Sequence, residues 1–292
     1  MRSAPFKQVD VFTHTPFKGN PVAVVMQADD LSTEQMQQIA NWTHLSETTF
    51  VLPPTDTRAD YRLRIFTPAQ ELPFAGHPTI GTAHALLEGG LITPRHGQLV
   101  QECAAGLVAL QVEMDPQGQP WISFDLPSPT LTRLTPTQVD ELEAILGHAV
   151  SRDAWPCLID VGPRWIVAQL PSAQAVLACQ PDLVRMTRQD TQAQATGVVI
   201  FGEHPSHHAS RIEVRAFAPS HGVNEDPVCG SGNGCVGAFI RASGLLPHFG
   251  QSLLASQGAA LGRAGRVRIT MTETRIQVSG QAVTCVEGRL SY

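Results

Sequence analysis

A chain of 292 residues is longer than one hydrophobic core usually supports, so it predicts two domains or one large pseudo-symmetric unit. Its 42% hydrophobic and 16% charged residues are those of an ordinary globule, and no apolar run approaches the ~20 residues of a membrane-spanning helix. A formal net charge of -6 disfavours nucleic acid as the main partner, because phosphate binding wants a clustered basic surface.

The chain runs from Met1-Arg2-Ser3 straight into Val9-Asp10-Val11-Phe12 without the apolar segment of a secretory signal, so a cytoplasmic protein is expected, with no membrane partner. The six cysteines (103, 157, 179, 229, 235 and 285) include no Cys-x-x-Cys pair, which argues against a zinc ribbon or a disulfide framework. Lys7 to Thr13, Val22 to Met26, Thr48 to Leu52 and Tyr61 to Thr67 read as strands; Tyr61-Arg62-Leu63-Arg64-Ile65-Phe66 alternates strictly, as an antiparallel strand with one wet face does. Ser32-x-x-Gln35 is a capping box opening a helix that ends near Asn41, with Met36, Ile39 and Ala40 on its inner face. A second helix is expected from Pro78, a good first-turn residue, to Gly89-Gly90. Strands return between Leu99 and Leu126.

Pro127 to Pro136 is rich in Pro, Ser and Thr and reads as a linker, which divides the chain into domains 1–127 and 128–292, with the final strand free to pair back into the first. The second half opens with a helix capped at Thr135-Pro136 and closed at Gly147. Strands follow near Cys157 to Val161, Arg164 to Leu170, Val198 to Gly202 and Ile212 to Phe217, then a helix from about Gly232 to Ser243, and strands dominate from Val267. The two halves carry a weak repeat. Arg64-Ile65-Phe66-Thr67-Pro68 leads into Pro73-Phe74-Ala75-Gly76-His77-Pro78, and Arg215-Ala216-Phe217-Ala218-Pro219 leads into Asp226-Pro227-Val228-Cys229-Gly230-Ser231-Gly232, about half the chain later. Two such halves facing each other would place both loops at a shared cleft.

A helix N-terminus preceded by glycine offers unpaired N–H groups and a positive dipole end, which suits a carboxylate. Gly76-His77-Pro78 and Gly230-Ser231-Gly232-Asn233 are two such openings; either alone reads better as a tight turn that needs glycine, and it is their duplication that brings the anion site level with it. Glu47 stands at the mouth of the otherwise apolar Thr48 to Leu52; it is either an exposed strand end or a general base whose burial tunes it towards working pH. His77 reads as a helix cap or as a group that orients a substrate carboxylate, and Asp226 as a turn starter or as that histidine's partner. Cys229 is the one cysteine placed where a helix dipole would favour thiolate, although most cysteines are inert packing.

Three other signals point to less. Gly232-x-Gly234-x-x-Gly237 follows acidic Asn224-Glu225-Asp226-Pro227 rather than an apolar strand, and Gln257 stands where a dinucleotide site needs an acid. His204-x-x-His207-His208 contains Pro205 and Ser206 and reads as a solvated loop rather than a metal site. Ser231 lacks the first glycine of a hydrolase nucleophile elbow, which Cys229 replaces.

Taken together, Val9-Asp10-Val11-Phe12 with Phe17-Lys18-Gly19-Asn20-Pro21, Leu45-Ser46-Glu47-Thr48, Pro73-Phe74-Ala75-Gly76-His77-Pro78-Thr79, Glu225-Asp226-Pro227-Val228, and Gln257-Gly258 with Gly262-Arg263 resemble the PhzF-like family over nearly the whole chain. That resemblance implies an α+β protein of the diaminopimelate epimerase type: two pseudo-symmetric domains, each a curved, mostly antiparallel sheet around a central helix. The family is usually homodimeric. It also implies Glu47 as the catalytic acid–base residue, working without cofactor or metal on a small carboxylated substrate, with His77, Asp226 and Ser231 lining the pocket and Gly76 and Gly230 supplying N–H groups. Cys229 departs from the pattern, where threonine or a similar residue is usual, and looks instead like the second cysteine motif of diaminopimelate epimerase. Ala75 leaves no opposing thiol. Three readings follow: an isomerase or epimerase acting through Glu47, a non-catalytic binder of a small anion, and a racemase or dehydratase of amino-acid-like molecules working through Cys229.

Overall fold

The computed structural model describes residues 2–292. The chain forms two compact units, one of Met1–Phe124 with Ser279–Tyr292, the other of Asp125–Val278. Among the described residues no helix is long and apolar enough to cross a membrane.

The first unit comprises β1 (Ser3–Val11), β2 (Asn20–Val25), α1 (Thr33–Thr43), β3 (Thr48–Leu52), β4 (Tyr61–Phe66), β5 (Glu71–Leu72), α2 (Gly76–Glu88), β6 (Gln98–Cys103), β7 (Gly106–Met114) and β8 (Pro120–Asp125), whose last residue lies across the unit boundary. The second comprises β9 (Thr130–Arg133), α3 (Pro136–Leu146), β10 (Cys157–Asp160), β11 (Arg164–Gln169), α4 (Ala173–Ala178), α5 (Leu183–Ala193), β12 (Gly197–Glu203), β13 (Ile212–Ala218), β14 (Val223–Asp226), α6 (Gly230–Ala242), α7 (Leu246–Phe249), β15 (Ser252–Gln257) and β16 (Gly265–Met271). β17 (Ile276–Gly280) carries the chain back to the first unit, where β18 (Ala282–Ser291) pairs antiparallel with β1 from Ser3↔Ser291 to Val11↔Ala282.

The internal repeat is visible in the strand pairing. In the first unit β1–β2 is antiparallel, β2–β3 parallel, β3–β4 antiparallel, β4–β6 parallel and β6–β7 antiparallel. In the second, β10–β11, β11–β12, β12–β13, β13–β15 and β15–β16 follow the same alternation. Parallel neighbours need a crossover, and α1 and α2 supply it once, α4 with α5 and then α6 the second time. Each unit closes its sheet on its second crossover helix. All residues from His77 to Leu86 of α2 are buried, as are Gly232 to Ile240 of α6; helices enclosed on every side are central rather than surface elements. α2 packs on β1, β2, β3 and β18, and α6 on β10, β11, β12 and β16.

The capping box of Ser32 with Gln35 forms at α1, and Thr135 caps α3 as expected, with Gln138 completing a second box there. The Pro127–Pro136 segment is not only a linker, since β9 lies within it and pairs with β10 from Thr130↔Asp160 to Arg133↔Cys157. Pro205 to Ala209 is an exposed turn as expected, but His204 is tucked beneath it, its Nε2 lying 3.1 Å from Glu213 Oε2 and 2.9 Å from Ser256 Oγ.

One ion pair recurs in both units. Arg64 of β4 donates to Glu71 from Nε (2.7 Å) and Nη2 (2.6 Å), with its guanidinium 5.1 Å from the Phe66 ring. Arg215 of β13 donates to Glu225 in the same way (2.9 and 2.8 Å), 4.9 Å from the Phe217 ring, and adds bonds to the carbonyls of Val176 (3.1 Å) and Cys179 (2.6 Å). Each pair ties the strand to the segment that leads into the central helix. They differ in burial: the Arg64 and Glu71 side chains are 25% and 33% exposed, those of Arg215 and Glu225 only 7% and 10%. Removing one partner of a buried pair strands an uncompensated charge, at ~3–5 kcal/mol, whereas a wetter pair contributes ~0–1 kcal/mol. Glu225→Ala is therefore expected to lower the urea midpoint severely and Glu71→Ala only slightly; equal losses would contradict this ranking.

Candidate active site

Glu47 is set by the turn between α1 and β3. α1 ends at Thr43, and His44 turns the chain in the left-handed region (φ 56°) with its N–H on Ala40 O at 3.3 Å. The Glu47 carbonyl then accepts the Ala23 N–H (3.4 Å), and the Thr48 hydroxyl shares a 2.8 Å hydrogen bond with Thr43. The backbone on both sides of Glu47 is thus held by α1 and by the β2–β3 pairing. Its side chain is 16% exposed, and Oε2 is shielded from solvent without a hydrogen bond. Burial pushes the carboxyl up from 4.5 to about 7, opposed in part by a hydrogen bond from Ser46. His77 Nε2 stands 3.4 Å from Oε2, so the structure brings these two candidates together.

α2 begins at Gly76, two residues before Pro78. A proline is tolerated throughout the first turn, whose N–H groups have no intrahelical partner, so it does not mark the first helical residue. Ala75 occupies the N-cap in an extended conformation (φ -151°, ψ 137°) and supplies no side-chain cap. Glycine is required at position 76 by packing: a Cβ there would lie 2.4 Å from Cζ of Phe124, which is itself edge-on to Phe74. His77 is buried in the first turn.

The loop of the second unit is built differently. Asp226 ends β14, and its Oδ1 accepts the Val228 N–H at 3.1 Å, the turn expected of an Asp before Pro. α6 begins at Gly230, with Cys229 as N-cap, its Sγ accepting the Gly232 N–H at 3.2 Å. The dipole argument for a thiolate fails here. Burial, reinforced by the nearby Asp226 carboxylate, lifts the Cys229 thiol well above its ordinary range and outweighs the bonds from Ser231 and Gly232. Ser231 Oγ accepts the indole N–H of Trp165 at 3.0 Å and lies 3.6 Å from Cys229 Sγ. Trp165, on β11, carried no local signal, because its partner is 66 residues away. Ser46 went unassigned as well, although its hydroxyl is the one hydrogen-bonding group that opposes the rise at Glu47. Among the described residues no cluster of three or more His, Cys, Asp or Glu side chains is arranged to hold a metal ion.

These features define an α+β protein of the diaminopimelate epimerase type, with a shielded carboxyl at a strand mouth and two glycine-led helix starts. Residues 9–288 match the family described as Phenazine biosynthesis-like protein, and the chain belongs to this PhzF family. It is 45% identical to Antisense-enhancing sequence 1 of Schizosaccharomyces pombe (strain 972 / ATCC 24843), covering 99% of each chain. It is 37% identical to trans-2,3-dihydro-3-hydroxyanthranilate isomerase of Pseudomonas chlororaphis, covering 97% of each. Among solved structures, the Bacillus anthracis phenazine biosynthesis protein of the PhzF family superposes with a TM-score of 0.88 at 25% identity, covering 100% of each chain.

The state of Cys229 is open to a direct test. With iodoacetamide at pH 8, followed by peptide mass spectrometry, the partly exposed Cys103 and Cys285 are expected to react well before Cys229. Labelling of Cys229 first would show that its thiol is neither shielded nor raised.

Proposed function

We propose that this protein is a cofactor-independent isomerase or epimerase that moves a proton at a carbon of a small carboxylated substrate, with Glu47 as the general acid and base. The observation that carries the reading is the Glu47 carboxyl, shielded from water and raised to about 7, so that both of its protonation states are accessible near neutral pH. As carboxylate it takes a proton from an acidified C–H, leaving the electron pair delocalised into the substrate's unsaturated system. As carboxylic acid it returns that proton to another carbon, or to the opposite face for an epimerisation. No net charge or redox change results.

His77, 3.4 Å away, is the group that hydrogen-bonds to the carboxylate or to a substrate oxygen as the proton moves. Gly76 supplies an N–H at the uncapped start of α2, suited to a substrate carboxylate. Asp226, Cys229, Gly230 and Ser231 form the recognition loop. The indole N–H of Trp165 on Ser231 Oγ fixes the position of that hydroxyl in the loop. A thiol held neutral by burial is a poor proton acceptor, which favours Glu47 over the Cys229-dependent racemase. Kinship with the Pseudomonas chlororaphis isomerase makes trans-2,3-dihydro-3-hydroxyanthranilate the first substrate to try.

The test is incubation in D2O with that compound and with a panel of small amino and hydroxy acids. Wild type is expected to wash deuterium into one C–H position, and Glu47→Gln to lose ~10²–10⁴-fold in rate. An inert wild type, or a Glu47→Gln variant at wild-type rate, sinks the reading. Because the free enzyme must carry carboxylate, kcat/KM should rise with pH and level off above about 7.

The same carboxyl makes a stability prediction. A folded-state pKa near 7 against 4.5 unfolded means the native state holds the proton more tightly, so stability is lost as pH rises between those values, reaching about 3 kcal/mol. Relative to wild type, Glu47→Gln is therefore expected to gain stability from pH 4 to pH 8, read as a widening gap in Tm. A gap independent of pH would contradict it.

A further inference from the structure

Gln257 ends β15, and nothing above gives it a role. Its side chain is 1% exposed and all three of its polar bonds go to the Asp226–Asn233 segment. Oε1 accepts the Cys229 N–H (3.1 Å) and the Asn233 side-chain N–H (2.8 Å), while Nε2 donates to the Asp226 carbonyl (3.0 Å). Asn233, fully buried on the first turn of α6, also donates to the Cys229 carbonyl at 2.9 Å. The amide orientation is fixed by its partners: flipped, it would set an NH2 group against two donors and a carbonyl against a carbonyl.

The strand behind Gln257 is firm. β15 pairs in parallel with β13 (Val214↔Gln257) and antiparallel with β16 (Gln257↔Gly265). The next residue, Gly258, has φ +95°, and a Cβ there would lie 2.6 Å from the Pro227 carbonyl. At Gly265 a Cβ would meet Val228 Cγ2 at 2.3 Å. The loop is therefore seated directly on the end of this strand pair, with Gln257 bonded to its two ends.

We propose that Gln257 is a positioning residue: through the Asp226 carbonyl and the Cys229 N–H it fixes the backbone on which Asp226, Cys229, Gly230 and Ser231 present their groups to the substrate. This rests on the recognition role given to that loop above. Only a side chain with donor and acceptor in one plane satisfies all three partners. Methionine at position 257 would leave all three unpaired. Ionised glutamate would keep the two bonds to Oε1 and set a second acceptor against the Asp226 carbonyl, so that variant is measured at a pH where its carboxyl is ionised.

The experiment compares wild type with Gln257→Glu, near-isosteric and so expected to fold, and Gln257→Met. Two measurements are made: peptide-resolved hydrogen exchange over residues 226–233, and kcat and KM with trans-2,3-dihydro-3-hydroxyanthranilate. Both variants are expected to exchange at least about tenfold faster in this segment, and to raise KM at least about tenfold while kcat stays within about threefold. A merely structural role would instead reduce the folded fraction, lowering kcat with KM unchanged, and that outcome overturns the proposal. So does wild-type exchange in both variants, or a loosened loop with an unchanged KM. If wild type fails to turn the compound over, the choice of substrate is what has failed; exchange at wild-type rates in the variants still refutes the clamp, and faster exchange supports it.

Discussion

A carboxyl taken out of water without a cation to hold it is costly, and the arrangement around Glu47 is organised by that cost. The protein treats its enclosed acids in two ways: Glu225 receives both ends of the Arg215 guanidinium, whereas burial raises Asp190 and Glu213 to about 7, as it does Glu47. Glu47 has a Ser46 hydrogen bond and a histidine at 3.4 Å, too little to hold it ionised below neutrality. Such a group stays in place only when its backbone has no alternative. The left-handed cap at His44, the Ala23 N–H on its carbonyl and the Thr43–Thr48 bond remove those alternatives. A destabilised side chain on a firmly held strand is what acid–base chemistry at neutral pH requires.

The two units apply one topology to different electrostatic ends. Both run strand, tied loop, central helix and parallel strand, and both tie the loop with an arginine lying over a phenylalanine. In the first unit the tie is half-wet and the helix start is uncapped. In the second the tie is dry, Cys229 caps the helix, and Gln257 and Trp165 add bonds to the loop. The second loop thus carries side-chain ties from three directions, whereas the first leads into a helix start without a side-chain cap.

Much of this was legible in local sequence because the deciding interactions are local. Helix caps are local, so α1 and α3 could be placed from Ser32/Gln35 and from Thr135-Pro136 with Gly147, and the run Thr48 to Leu52 is buried on both faces. α4 and α5 escaped notice. In Leu183–Ala193 the buried residues are Met186, Gln189 and Asp190, so the inner face is largely polar and its period is hidden. β9 exists through its pairing with β10, which Pro- and Ser-rich composition does not announce. At the site, Glu47 stood out as an acid before an apolar strand. At Cys229 a dipole argument carries no information about burial, and burial outweighs the dipole. Gln257 had no local signal, since its partners lie 24 to 31 residues away.

The central claim concerns one proton on one side chain. Carboxyl carbon NMR of the 13C-labelled protein, with the Glu47 resonance assigned by its absence in Glu47→Gln, would follow that proton directly as pH is varied. The account predicts a midpoint at about 7. A midpoint at the ordinary 4.5 would mean that the carboxyl is solvated and ionised throughout the neutral range, and would contradict the account.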